Sequence, residues 1–252
     1  MRRLMNRTNG RQRFIILTDQ RSGSNHLEGL LNSHPDVKVA GELFNPSHDH
    51  NSRLNPVPEE IRRLRRRDPI AYLQAFFEHP FDESITHVGF RLFHDHARSR
   101  TERAIWTHLR RTKDLQVIHL KRRNILRNLL SLKLAMRSDN WQRTEGTPPV
   151  RYEPLRIEYK EVIRHIRVRE RSFARGSKFF RRHRKAEVLY EDLERDEERR
   201  LEALLRFLGL PPQPLTSSTR KQNQQTPREL IENHAELEAR FRRTRWHEFF
   251  QD

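Results

Sequence analysis

The chain is 252 residues long and strongly basic, with 51 Lys+Arg against 34 Asp+Glu and a formal net charge of +17. That length can bury one substantial core, and the absence of cysteine excludes disulfides and thiolate chemistry. No apolar run exceeds Phe14-Ile15-Ile16-Leu17, far short of a membrane span, and the basic start leads into no signal-peptide core, so the expected location is the cytoplasm.

Residues 13–18 (RFIILT) are patterned as a buried strand, followed by the polar loop 19–24. A helix carrying Leu27, Leu30 and Leu31 comes next and stops at Ser33-His34-Pro35. Residues 37–40 read as a second strand running into Gly41-Glu42-Leu43-Phe44-Asn45-Pro46, and 47–57 as loop. Ile61 and Leu64, then Ile70, Leu73, Phe76 and Phe77, predict two helical pieces parted by Asp68-Pro69. Residues 87–93 (HVGFRLF) form a third strand, 103–111 a helix, 115–120 (LQVIHL) a fourth strand and 124–137 a helix. After a break at 146–149, residues 157–182 are helical, 187–190 form a fifth strand, 195–208 a helix stopped by Gly209, and 227–242 the last helix. Strands alternating with helices predict an α/β fold: a single domain over 1–252, with residues 1–12 flexible and a mainly parallel central sheet flanked by helices.

In such folds ligands bind beyond the carboxyl ends of strands, near helix N-termini. The first loop has the chemistry for an anion. Gly23 permits a tight turn, Ser22 and Ser24 offer hydroxyls, the helix start offers unpaired N–H groups, and Arg21 adds a charge-assisted hydrogen bond. The pattern GxxxxGK[ST] is absent. Further on, Arg123 ends the fourth strand and Ser131 lies two helical turns beyond it, a cation and a hydroxyl suited to a phosphate monoester.

These islands together resemble the sulfotransferases that use 3′-phosphoadenosine-5′-phosphosulfate (PAPS). Gln20-Arg21-Ser22-Gly23-Ser24-Asn25-His26-Leu27 resembles the loop that holds the 5′-phosphosulfate. Leu120-Lys121-Arg122-Arg123-Asn124 with Ser131 resembles the 3′-phosphate segment, and residues 188–193 the trailing strand. The likeness is greatest to bacterial carbohydrate sulfotransferases of the nodulation-factor and trehalose type, through Arg21–Ser24, Glu42-Leu43-Phe44-Asn45-Pro46, and Arg220-Lys221-Gln222-Asn223 followed by Trp246. The resemblance implies a P-loop-like sulfotransferase fold, PAPS as co-substrate held by Arg21, Ser22, Gly23, Ser24, Asn25, Arg123, Ser131 and Lys221, and a carbohydrate or glycolipid hydroxyl as acceptor. Its branch includes dimers. Gln20 stands where the family often has proline, and Asn25 where it often has threonine.

Sulfuryl transfer needs an aligned acceptor hydroxyl, neutralised charge on the leaving phosphate and a base. Glu42, at a strand end facing the same crevice as Arg21, is the expected base, as in the resembled branch, with Arg21 assisting. His94 and His96 follow the third strand and are alternative bases or acceptor contacts, and His26 is an expected acceptor contact; His119 reads as a hydrogen-bonded core histidine. Loops 45–57 and 138–156 are expected to shape the acceptor pocket. No HExxH or similar spacing exists among the 14 histidines, so no metal is expected. Two other readings exist: a nucleotide kinase with a degenerate phosphate loop, which lacks the Walker lysine, and a non-enzymatic nucleic-acid binder, which lacks any aromatic-basic or recognition-helix signature. Ten basic residues against the single acid Glu170 between Arg164 and Lys185 make a solvated helix face or a docking surface for an acidic acceptor or anionic membrane.

Overall fold

The structure is a computed structural model that describes residues 10–46, 58–221 and 223–251. In chain order its elements are β1 (Gln12–Thr18), α1 (Ser24–Asn32), β2 (Val37–Val39), α2 (Glu59–Arg62), α3 (Leu64–Arg67), α4 (Pro69–Glu78), β3 (His87–Phe93), α5 (Ala104–Arg111), β4 (Gln116–Lys121), α6 (Ile125–Ser138), β5 (Arg143–Thr144), α7 (Tyr159–Phe179), β6 (Lys185–Leu189), α8 (Tyr190–Arg195), α9 (Glu197–Leu208), β7 (Thr219–Arg220), α10 (Pro227–Leu230) and α11 (His234–Phe241), closed by a 3₁₀ turn, His247–Phe250. The main sheet runs β2-β3-β1-β4-β6 with every pairing parallel, as expected, and β5 and β7 form a small antiparallel ribbon.

Alternation along the strands divides the interior. Ile15 and Leu17 face a core with Phe44, Tyr72, Phe76, Phe90 and Phe180, while Phe14 and Ile16 face one with Leu27, Leu31, Leu204 and Leu208. A third cluster joins α6, α7, α10 and α11 through Leu126, Ile166, Leu230 and Phe241. Burying each such aliphatic side chain is worth about 1.5–3 kcal/mol, so both sheet faces are firmly covered. Local signals start the helices: Asp68 Oδ1 accepts from Ala71 N (2.9 Å) ahead of Pro69, and Asn124 Oδ1 accepts from Arg127 N (2.9 Å).

Several boundaries differ from expectation. The strand read at 187–190 ends at Leu189, and Tyr190 to Leu193 is helical. The last helix is two pieces, because Leu155 pairs with the chain at Ile231: Leu155 N donates to Leu230 O (2.9 Å) and Glu232 N to Leu155 O (3.2 Å). The long helix is shorter than 157–182, since Glu158 is extended at its start. Within the expected flexible start, 1–9 lie outside the described residues; Arg11 is fixed by bonds to Ile85 O, His79 O and Phe81 O, and Gln12 opens β1.

A parallel sheet places all strand C-termini on one edge. The segments after β1, β2, β3, β4 and β6 therefore converge there, and they carry Arg21, Glu42, His94, Arg122 and Tyr190.

Candidate active site

Past Thr18 the chain turns through left-handed conformations at Arg21 (φ 62°) and Gly23 (φ 84°) before α1 begins at Ser24. Gly23 is required twice over: a Cβ there would strain the backbone and overlap the Tyr190 ring. The loop is braced from behind. Asn128 Nδ2 donates to Gln20 O (2.8 Å) and shares its Oδ1 with His165 Nε2 (2.8 Å). Asp19 is buried against Arg169 Nη1 (2.8 Å) and His94 Nδ1 (3.1 Å); burial would raise its pKa, but His94 and Arg169 outweigh it and hold the carboxyl below its ordinary value.

The Arg21 side chain donates through Nε to Ser131 Oγ (2.9 Å) and through Nη1 to Trp141 O (2.6 Å). Burial, then the neighbouring Arg122, pull its pKa down to about 10, which leaves it charged at neutral pH. Arg122 donates to Arg21 O (2.9 Å) with its guanidinium carbon 5.1 Å from the Tyr190 ring centroid. A cavity of about 940 Å³ opens over these groups, lined by Arg21, Gly23, Ser24, Asn25, His26, Glu42, Arg122 and Ser131 together with Arg91, Arg127, Trp141, Tyr152, Tyr190 and Lys221.

Glu42 follows β2 and Gly41 (φ 71°), accepts from Asn45 Nδ2 (2.6 Å), and lies 3.3 Å from Arg91 Nη1. Arg91, buried on β3, also ion-pairs with Glu28 Oε2 (2.5 Å) and donates to Ser24 Oγ (3.2 Å) and Asn25 Oδ1. One cation thus ties the anion loop to the candidate base. Burial raises the Glu28 carboxyl pKa even against Arg91.

Other expected residues lie outside the cavity or are paired at its wall. Ser22 is fully buried, outside the cavity lining, and among the described residues its Oγ has no hydrogen-bond partner. Arg123 is turned outward, half-exposed, to Asp192 (3.2 Å), and does not line the cavity; Arg122 does. The cause is the turn after Lys121, where Glu191 accepts from both Arg123 N (2.8 Å) and Asn124 N (3.0 Å). His94 and His96 are buried and do not line the cavity. His94 lies between Asp19 and His119 Nε2 (3.2 Å), which also confirms His119 as a hydrogen-bonded core residue. His96 sits 3.8 Å from Glu42 with its pKa pushed down to about 3 by burial, then by Arg91 and Arg65, so its imidazole is neutral. His26 Nε2 meets Glu197 Oε2 (2.7 Å) at the cavity wall, and Lys221 Nζ meets Glu194 Oε1 (3.2 Å). Trp246 donates to Glu170 Oε1 (3.0 Å), away from the cavity. Of the loops expected around the acceptor, 138–156 supplies Asp139, Asn140, Trp141 and Tyr152, while 47–57 and Gln222 lie outside the described residues. Among the described residues no group of His, Asp and Glu is arranged to hold a metal, and no helix is long and apolar enough to cross a membrane.

A family model described as the sulfotransferase family matches residues 13–214, spanning the loop, the candidate base and the Arg122–Ser131 segment. The chain belongs to the sulfotransferase family. It is similar to Nodulation protein H of Rhizobium tropici, 30% identical over 94% of this chain and 92% of that protein. It is also similar to Nodulation protein H of Rhizobium meliloti (strain 1021), 28% identical over 95% of each. The fold matches the crystal structure of a sulfotransferase from Alicyclobacillus acidocaldarius with a TM-score of 0.53, 17% identity, and coverage of 94% of this chain and 92% of that one. This sulfotransferase is therefore an enzyme of sulfuryl transfer, close to the nodulation type, on a P-loop-like α/β scaffold.

Arg91, Arg122 and Tyr190 were not singled out as site residues in the sequence. Arg91 had a signal: a lone arginine inside the apolar run HVGFRLF must be paired if that strand is buried.

Proposed function

We propose that this sulfotransferase takes its sulfuryl group from PAPS and transfers it to a hydroxyl of a carbohydrate or glycolipid, with Glu42 as base and the whole of 1–252 acting as one domain in the cytoplasm. The observation that carries the reading is the Arg21–Ser131 hydrogen bond. Because of it, the anion loop and the phosphate segment border one cavity that Glu42 also lines. Its volume of about 940 Å³ has room for a nucleotide beside an acceptor. Two guanidiniums, the α1 amides and the Ser131 hydroxyl match the phosphate and sulfate oxygens. Buried Ser22 Oγ, without a hydrogen-bond partner among the described residues, is a hydroxyl with hydrogen-bonding capacity to spare beside the loop.

In this reaction the acceptor hydroxyl gives its proton to Glu42 as its oxygen bonds to sulfur. The bond from sulfur to the 5′-phosphate oxygen breaks, and adenosine 3′,5′-bisphosphate leaves. Arg21 offsets the charge that grows on the leaving phosphate. Arg91 keeps the Glu42 carboxylate facing the loop. Trp141, Tyr152 and the amides of Asn140, Gln142, Asn223 and Gln225 give the wall apolar faces and hydrogen-bonding groups of the kind sugars use.

The test compares thermal stabilisation by adenosine 3′,5′-bisphosphate and ATP, with labelled-donor assays over sugars, glycolipids and alcohols. The bisphosphate should stabilise far more than ATP. Glu42→Gln should keep that stabilisation while losing about 10²–10⁴-fold in turnover. Preference for ATP would overturn the donor, and unchanged turnover in Glu42→Gln would remove it as base.

A further inference from the structure

Helix α7 carries Arg164, Arg167, Arg171, Arg175 and Lys178, all exposed and spaced three or four residues apart. They make one ridge along a helix of 21 residues, about 30 Å long. None of the five has an ion-pair partner among the described residues, although most buried and many surface cations elsewhere do. Glu170, the one acid between Arg164 and Lys185, is engaged by Arg245 (2.7 Å) and Trp246.

More positive charge lies toward the two ends of the ridge. Near the C-terminal end of α7 Arg110 stacks 5.2 Å over Phe179, and Arg98 lies near enough to Arg175 that, after burial, Arg175 depresses its pKa. At the N-terminal end Arg240 stacks 4.1 Å over Tyr159, and exposed Arg242 and Arg243 follow it in the chain. These arginines extend the cationic ridge at both of its ends. Its uncharged exposed positions on α7 are apolar, Ala174 and Val168, the latter 46% exposed, and the aromatic side chains Phe173 and Phe179 are turned inward onto His119 and Trp106.

From this we propose that the α7 face docks the enzyme onto an anionic lipid bilayer. A layer of phosphate headgroups complements a ridge of arginine forks, and Val168 would meet the interface between them. A single-stranded nucleic acid is disfavoured because no aromatic ring of α7 is exposed to stack bases, and a duplex is an outcome of the test below. The inference stands independently of the donor and of Glu42.

The full-length protein is sedimented with vesicles of phosphatidylcholine alone or mixed equally with phosphatidylglycerol. Binding is expected only to the mixed vesicles and should vanish in high salt. Combining Arg164→Gln, Arg167→Gln, Arg171→Gln and Arg175→Gln should weaken it about a hundredfold or more, at several-fold per cation. The matched variant Arg195→Gln, Arg199→Gln, Arg200→Gln and Arg206→Gln removes equal charge from α8 and α9, where α9 packs on the opposite sheet face, and should change binding only a few-fold. Three outcomes would overturn the proposal: no binding to mixed vesicles, equal loss in both variants, or tighter capture by a random duplex oligonucleotide at the same ionic strength.

Discussion

Arg91 Nη1 stands 3.3 Å from Glu42 Oε1 while Arg91 Nε stands 2.5 Å from Glu28 Oε2, so one buried guanidinium serves two carboxylates. Arg91→Gln would leave Glu28 buried without its main counter-charge and should cost about 3–5 kcal/mol in denaturant unfolding. Arg91→Met with Glu28→Leu removes both charges and should regain most of that stability. Turnover in the double variant should still be down about 10²-fold, because Glu42 and the Ser24–Asn25 turn lose their common anchor. Wild-type turnover in that variant would exclude Arg91 from the site.

Arg122 and Arg123 are separable by binding. Arg122 borders the cavity beside Arg21, whereas Arg123 pairs with Asp192 outside it. Arg122→Ala should weaken adenosine 3′,5′-bisphosphate binding about 10–100-fold, the worth of a charge-assisted hydrogen bond. Arg123→Ala should change it less than about threefold, a shift of the size of an exposed ion pair. Isothermal titration checks both, and the reverse ranking would return the phosphate contact to Arg123.

Gly23→Ala should abolish bisphosphate binding and destabilise the fold. The left-handed backbone alone costs about 1–2 kcal/mol, and the new methyl would overlap the Tyr190 ring. Adding Tyr190→Ala relieves the overlap but not the backbone strain, so a thermal melt should recover part of the loss.

Acid should weaken the fold through its neutral histidines. His96 is depressed from 6.5 to about 3, so the unfolded chain takes up the proton first as pH falls. Stability is complete above pH 6.5 and is lost progressively toward about 3, amounting to about 2 kcal/mol between pH 6.5 and 5. His119, near 3, and His165, near 4, act in the same direction. His96→Gln should shrink the stability difference between pH 7 and pH 5 by about 2 kcal/mol in urea titrations; an unchanged difference would mean His96 is protonated in the fold.

The strands were legible because short apolar runs such as FIIL and QVIHL have few other uses, and the first loop because glycine and hydroxyls sit between a strand and a helix. What escaped depended on partners distant in sequence. The break after α10 comes from pairing with Leu155, and the β5·β7 ribbon joins two-residue strands more than seventy residues apart. The spacing from Arg123 to Ser131 suggested a shared phosphate, yet Glu191 on α8 sets the turn that swings Arg122 inward instead. His94 and His96 looked available after β3, but Asp19, Trp106 and the surrounding core enclose them. Glu42 was legible in place, although the arginine that steadies it was not.

The five α7 cations without an ion-pair partner among the described residues also set how this enzyme responds to its medium. Neighbouring guanidiniums along one helix push against each other in the folded state more than in an extended chain, and dissolved ions shield that push over about 10 Å at 0.1 M. Moderate salt should therefore raise the melting temperature while it loosens the hold on a charged surface, so the conditions that best preserve the purified protein are those that keep it adrift.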